Sequence, residues 1–323
     1  MDDIDVTPLF KVAIITGAST GIGAATARRF AHEGWAVVLA ARSEEKLAQL
    51  RTELAAEGER ALAVRADITQ CEDVAHVVEQ ALAAFGRIDV LVNNAGVGIS
   101  GTLDSLDLDA FEYTLRLNVL APIAMLQAVV PVMKRQGGGV IVNVSSMIEA
   151  TAVPYMSGYG ASKAALGYLS DAAAIELDEY NIAVVRVLPG ITETNFNANV
   201  LQSSEATSLE TLFERAGILK AVTPERVADT IWEAVASRRR LTYVTAADGL
   251  LAQAANVNPG GTHRFLRLAL RRYAPRTGTA SGVSIKKDMA RIGWATGLLL
   301  AGAAVGVSAW LIKANRKRAS AQL

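Results

Sequence analysis

The sequence predicts a single α/β domain on a doubly wound parallel sheet of about seven strands, followed by a C-terminal transmembrane helix. Three observations lead there. Over residues 8–250, short apolar, β-branched runs alternate with longer segments of helical period. Runs such as VAIIT and VIVNV are apolar throughout rather than alternating, which suits strands covered on both faces by helices. The last apolar run of the chain is longer than a core element needs.

In chain order, Val12–Thr16, Ala36–Ala40, Ala61–Ala66, Val90–Asn93, Val140–Val144, Ala183–Leu188 and Thr242–Thr245 read as strands. Gly21–Glu33, Glu44–Glu57, Cys71–Phe85, Leu108–Arg135, Tyr159–Glu179 and Pro224–Ser237 carry helical patterning. Residues 195–222 break the rhythm, being partly polar and weakly periodic. In a doubly wound sheet such a segment lies beyond a strand's C-terminal edge, where ligands bind. It reads either as a mobile substrate lid or as a surface helical insertion. No internal repeat is evident.

The 323 residues are 51% hydrophobic, enough for one large core. A formal net charge of zero argues against nucleic acid as the main partner. Cys71 is the single cysteine, so no internal disulfide can form and a reducing compartment is the simple reading. His32, His76 and His263 are scattered without metal-ligand spacing, and no metal is expected. The acidic start MDDIDVTPLF lacks the basic and apolar regions of a secretory signal, and neither end carries a lipidation motif.

After the first strand stands Thr16-Gly17-Ala18-Ser19-Thr20-Gly21-Ile22-Gly23, which opens a helix. A backbone turning sharply from strand into helix needs residues without side-chain obstruction. Gly17 allows the turn, Gly21 lets a phosphate approach, and Gly23 permits close helix–strand packing. Exposed N–H groups and the helix dipole then attract a pyrophosphate. Further on, Tyr159 and Lys163 stand four apart in a helical segment, so both project from one face. A phenol with an ordinary pKa of about 10 is a poor acid–base catalyst near neutrality. A fixed ammonium beside it favours the phenolate and brings that value toward the working range.

With TGASTGIG, NNAG (Asn93–Gly96) and YGASK (Tyr159–Lys163) in this order, the chain resembles the short-chain dehydrogenase/reductase family over roughly residues 10–245, and so a Rossmann domain. The resemblance implies that Gly17, Ser19, Thr20, Gly21, Ile22 and Gly23 cradle a dinucleotide, with Asn94, Ala95 and Gly96 supporting the sheet and the cofactor. It places Asp67 at the adenine ring. It makes Tyr159 the proton donor, lets Lys163 also bind the nicotinamide ribose, and sets Pro189, Gly190 and Thr194 at the nicotinamide end. Ser146, thirteen residues before Tyr159, matches the catalytic serine, with Ser145 as the alternative. Asn118 matches the helix asparagine of the family's proton relay; read alone, it is a helix-interior polar residue satisfied locally. Tyr155 competes with Tyr159, but four residues after it stands Tyr159 rather than a lysine. Glu149 departs from the glycine often found there, and reads as a polar pocket wall or as a solvent-facing carboxylate.

Charge bears on the choice of cofactor. An acidic residue ending the second strand would hold both ribose hydroxyls of NAD and repel a 2′-phosphate. Here Ala41 takes that place and Arg42 follows it, with a guanidinium suited to phosphate. NADP(H) is therefore preferred and NAD(H) possible. If Arg42 is only a solvated helix-start charge, the preference stays open. Ser19 and Thr20 stand where some NADP-using members place a second base.

The C-terminal regions are of another kind. Residues 258–290 hold a basic amphipathic stretch, THRFLRLALRRYAPR, and a linker rich in Gly, Ser and Thr. That stretch suits an anionic membrane surface or an ordinary solvated face. Residues 291–313 contain IGWATGLLLAGAAVGVSAWLI, about 30 Å as a helix, with Trp294 and Trp310 near its ends. This reads as a transmembrane helix, or else as a buried helix of an oligomer. Residues 314–323 continue a basic tail. Basic flanks prefer the cytoplasm, as does a catalytic domain without a signal, and one span cannot place both ends there. The catalytic domain is expected on the cytoplasmic side. Self-association into a homo-oligomer through Leu108–Arg135 and Tyr159–Glu179 is implied by the resemblance. The expectation is a membrane-tethered NADPH-dependent reductase of a lipophilic carbonyl, or oxidant of the matching alcohol. An NAD-linked alcohol dehydrogenase and a non-catalytic nucleotide-binding scaffold or sensor are the alternatives.

Overall fold

The computed structural model describes residues 10–194, 196, 200–201 and 221–273. Seven strands form one parallel sheet: β1 (Val12–Thr16), β2 (Ala36–Ala41), β3 (Ala61–Arg65), β4 (Val90–Asn93), β5 (Gly139–Val144), β6 (Ile182–Leu188) and β7 (Leu241–Tyr243). Their order is β3-β2-β1-β4-β5-β6-β7. The order reverses between β1 and β4, where Ile14 pairs with Val38 on one side and Leu91 on the other. That reversal opens a crevice at the carboxyl ends of the strands, the place where open α/β sheets bind ligands.

Alternate residues of β1 supply the two cores. Ile14 joins Val38, Leu91, Ile141 and Val184 under α3 (Cys71–Phe85) and α5 (Ala121–Gln136). Ile15 joins Leu39, Val92, Val142 and Val185 under α1 (Gly21–His32), α2 (Glu44–Ala56) and α7 (Pro224–Ser237). Burial on both faces is why these strands are apolar throughout. The helix expected over Leu108–Arg135 is α4 (Leu108–Leu115) and α5 joined by a π-turn at Arg116–Leu120. This long helix is the one among the described residues with the length and hydropathy to cross a membrane, and it packs on the sheet in the core. Helix α6 runs from Ser157 to Glu176, starting two residues before Tyr159.

The chain divides after Thr245 into two compact units. The sheet belongs to the first. In the second, α8 (Ala246–Val257) packs on α9 (Pro259–Tyr273), which carries the start of the basic stretch, with Arg264 and Arg267 exposed. Most of residues 195–222, the linker, the apolar run of 291–313 and the basic tail lie outside the described residues.

Candidate active site

The crevice is built around Thr16, the last residue of β1. Its hydroxyl accepts the backbone N–H groups of Asn94 (3.0 Å) and Ala95 (3.1 Å), and the Asn94 amide donates to the Thr16 carbonyl (3.0 Å). These bonds tie the NNAG segment to the glycine turn across the switch point. Gly17 has φ +65°, and a Cβ there would come 2.9 Å from Ala95 Cα; one on Gly23 would overlap the Gly17 carbonyl. Nothing larger than glycine fits either place. Thr20, the N-cap of α1, makes no side-chain capping bond. The first-turn N–H groups are thus left for an anion. A Cβ on Gly21 would lie 3.2 Å from the Thr194 methyl, so Thr194 stands against the turn although it is far away in sequence. A bare turn with open amides and a hydroxyl beside it fits the pyrophosphate of a dinucleotide.

At the other end of the crevice Arg42 is exposed and donates to the Tyr113 hydroxyl of α4 at 3.0 Å. Asp67, half-buried beyond β3, accepts from the Thr69 N–H (3.1 Å) and hydroxyl (2.8 Å), while its own N–H donates to Asp73 (2.7 Å). Tyr113 is not legible as a site residue, because an aromatic in an amphipathic helix ordinarily reads as core.

Tyr159 and Lys163 sit one turn apart on α6, both buried, with the Lys163 ammonium 5.8 Å from the centre of the Tyr159 ring. Lys163 Nζ donates to the Val144 carbonyl at 2.9 Å. Burial pulls its pKa from 10.5 down to about 8, opposed by the charge of Glu149. Asn118 lies in the π-turn, and wide turns of this kind recur at functional sites. Its Oδ1 accepts from the Val97 N–H (2.9 Å), and its Nδ2 donates to the Val97 carbonyl (2.8 Å) and the Ser162 hydroxyl (3.0 Å). The local satisfaction expected of a lone helix asparagine is therefore replaced by bonds across the fold. A Cβ on Gly96 would lie 3.1 Å from Asn118 Oδ1 and 3.7 Å from Lys163 Nζ, so NNAG, the π-turn and α6 meet at one point.

The two serines part company. Ser145 is buried and donates to the Glu149 carboxylate. Ser146 is partly exposed and extended, and caps a short 3-10 turn (Met147–Ala150), its hydroxyl accepting from the Ile148 N–H at 3.3 Å. The Met147 N–H donates to the Pro189 carbonyl (3.0 Å), which brings the serine loop to the Pro189–Gly190 stretch. Tyr155 takes φ +65°, unusual for a bulky residue, and its carbonyl accepts from Gly101 N–H at 2.8 Å. Phe196 leans on Tyr159, and Ile99, Met156, Ile148 and Leu201 complete an apolar wall around it. Glu149 is neither a loop carboxylate in solvent nor free: it pairs with Arg186 of β6. An arginine inside the apolar run IAVVRVL was the available signal for that pair. Among the described residues no group of acidic, His or Cys side chains could hold a metal ion.

The short chain dehydrogenase family profile matches residues 11–205. The dehydrogenase/reductase SDR family member 4 of Pongo abelii is 36% identical over 222 residues, 68% of this chain and 79% of the relative. Among solved structures, a 7α-hydroxysteroid dehydrogenase complexed with NADH and 7-oxo glycochenodeoxycholic acid is 30% identical, with a TM-score of 0.67 over 75% of this chain and 96% of its own. An alcohol dehydrogenase from the archaeon Thermococcus sibiricus, complexed with 5-hydroxy-NADP, is 29% identical, with a TM-score of 0.63 over 72% and 94%.

Proposed function

The chain belongs to the short-chain dehydrogenase/reductase family of NAD(P)-dependent oxidoreductases, and on that premise we propose that it is an NADPH-preferring reductase of a lipophilic carbonyl compound, or in reverse an oxidant of the matching alcohol. The observation that carries this reading is the buried Tyr159–Lys163 pair meeting Asn118 and Gly96 beside the open glycine turn.

In this mechanism the glycine turn and the first turn of α1 hold the pyrophosphate, Asp67 faces the adenine end, and Thr194 with Pro189–Gly190 borders the nicotinamide end. The chemistry that NADPH would supply when held there is a hydride for the carbonyl carbon. Ser146 and Tyr159 hydrogen-bond the carbonyl oxygen, and Tyr159 gives it a proton as negative charge builds there. Lys163, one turn further on, stabilises the phenolate that remains. Asn118, held by Val97 and Ser162, shapes the wide turn beside Lys163 through which the proton is resupplied.

Arg42 following the neutral Ala41 supports NADPH over NADH, because a guanidinium attracts a 2′-phosphate that a carboxylate would repel. The relatives carry both cofactors, so this preference rests on Arg42 alone. The apolar wall around Tyr159 supports a lipophilic substrate, and the apolar run of 291–313 supports a membrane tether that would keep the site near such compounds. Exposed Leu120, Tyr168 and Ile175 on the long helix and α6 support self-association into a homo-oligomer. A screen of steroid, retinoid, fatty and sugar-derived carbonyls, following oxidation of NADPH and NADH separately, tests the reading. Turnover of an apolar ketone or aldehyde with NADPH is the expected result; turnover with NADH alone would move the assignment to an NAD-linked alcohol dehydrogenase.

A further inference from the structure

Behind the reaction centre lies a buried charge network that the mechanism above does not use. Glu149 is bound on one side by the Ser145 hydroxyl and on the other by Arg186, and the side chains of both ions are about nine-tenths buried. Arg186 also holds Asp171 of α6 through two bonds of 2.8 Å, and Asp171 meets Arg240 at 3.2 Å. The pair lies against bare backbone: a Cβ on Gly167 would come 2.9 Å from both Glu149 Oε2 and Arg186 Nη1. Gly167 is one helical turn after Lys163, as Lys163 is one turn after Tyr159.

Three consecutive residues leaving β5 are thereby pinned. The Val144 carbonyl holds Lys163, the Ser145 hydroxyl holds Glu149, and Ser146 caps the turn that carries Glu149. An ion pair so deeply buried is a poor device for stability, since its desolvation cost offsets most of its attraction. What it does supply is fixed geometry and a fixed field. We propose that Glu149 is a positioning residue for the reaction, locking the Ser145–Ser146 loop to α6 and β6 and with it the neighbouring Val144 carbonyl that receives Lys163. The inference deepens the proposed function and rests on it.

The groups that face Glu149 are Ser145 just after β5, Lys163 and Asp171 from α6, Arg186 from β6 and Tyr243 from β7. Burial pushes the Glu149 carboxyl above the ordinary range, while Ser145, Arg186 and Lys163 draw it back. In return Glu149 is the charge that opposes the fall of the Lys163 value. Neutralising Glu149 removes that opposition, so the Lys163 ammonium is lost at lower pH and the alkaline limb of carbonyl reduction moves down with it.

The test uses Glu149→Gln, which removes the charge and leaves Arg186 paired with Asp171. Lys163 is titrated in the full chain by NMR of labelled lysine side chains, with Lys163→Arg identifying its signal. In parallel the pH profile of kcat/KM is recorded. A fall of the Lys163 midpoint is expected, with a shift of the alkaline limb in the same direction. If Glu149→Gln does not fold, Glu149→Met removes the same charge without adding an amide, and the same fall is expected. A Lys163 midpoint that stays in place in either folded variant overturns the proposal. A moved midpoint with an unmoved limb upholds the coupling and counts instead against Lys163 in the reaction.

Discussion

Phe196 lies tilted across Tyr159, their ring centres 5.5 Å apart and their planes at 52°. The same ring borders Gly98, where a Cβ would come within 3.0 Å of it. The Tyr159 ring is therefore bordered by an aromatic face contributed from beyond β6. Phe196→Ala removes apolar contact of about 1–3 kcal/mol. A bulky apolar carbonyl should lose roughly tenfold or more in kcat/KM, mainly through KM, while a small carbonyl changes little. Steady-state kinetics on a large and a small substrate check this, and equal losses for both would remove Phe196 from the substrate wall.

Arg42 decides the cofactor in this account. A charged hydrogen bond to phosphate contributes about 1.5–3 kcal/mol, so Arg42→Ala should raise the KM for NADPH roughly ten- to a hundredfold and leave that for NADH nearly unchanged. Tyr113→Phe, which removes the 3.0 Å bond that orients the guanidinium, should give a smaller change in the same direction. Paired measurements with both cofactors check it.

The serines make opposite commitments. Ser146→Ala should lower kcat about a hundredfold or more, the scale of a lost donor to a developing oxyanion. Ser145→Ala, whose hydroxyl is already given to Glu149, should cost markedly less. A reversal of that order in single-turnover rates would move the substrate contact to Ser145.

Lys163 sets a stability that depends on pH. Its folded value of about 8 lies below the 10.5 of the free side chain. Between these values the unfolded chain binds a proton that the folded chain does not, so this group makes stability rise with pH across that window. Below about 8 the buried ammonium costs the cofactor-free fold up to about 3 kcal/mol. Lys163→Met should therefore stabilise the cofactor-free protein near neutrality, less the cost of the unpaired Val144 carbonyl, and the gain should vanish toward the upper end of the window. Denaturant unfolding of both proteins over that range measures it.

The centre of the sheet was legible because its strands are buried on both faces, so VAIIT, AVVLA and VIVNV announce themselves without their neighbours. The glycine turn and the Tyr159–Lys163 spacing were legible because their chemistry is local: a turn, and one helical repeat. What escaped is what joins distant segments. At the π-turn, the Asn118 amide is held at both its oxygen and its nitrogen by Val97, twenty-one residues earlier. The place of Phe196 over Tyr159 depends on how the chain returns after β6. Glu149 is legible only together with Arg186 and Gly167, with which it interlocks in space.

The central claim is that the Tyr159 phenol delivers the proton while the rest of the site holds cofactor and carbonyl. Turnover of the best carbonyl found in the screen, measured for the native chain and Tyr159→Phe alongside NADPH affinity, tests it most directly. The account predicts a rate lower by roughly 10²–10⁴ with cofactor affinity retained. A Tyr159→Phe protein that binds NADPH and reduces the carbonyl at the native rate would contradict it.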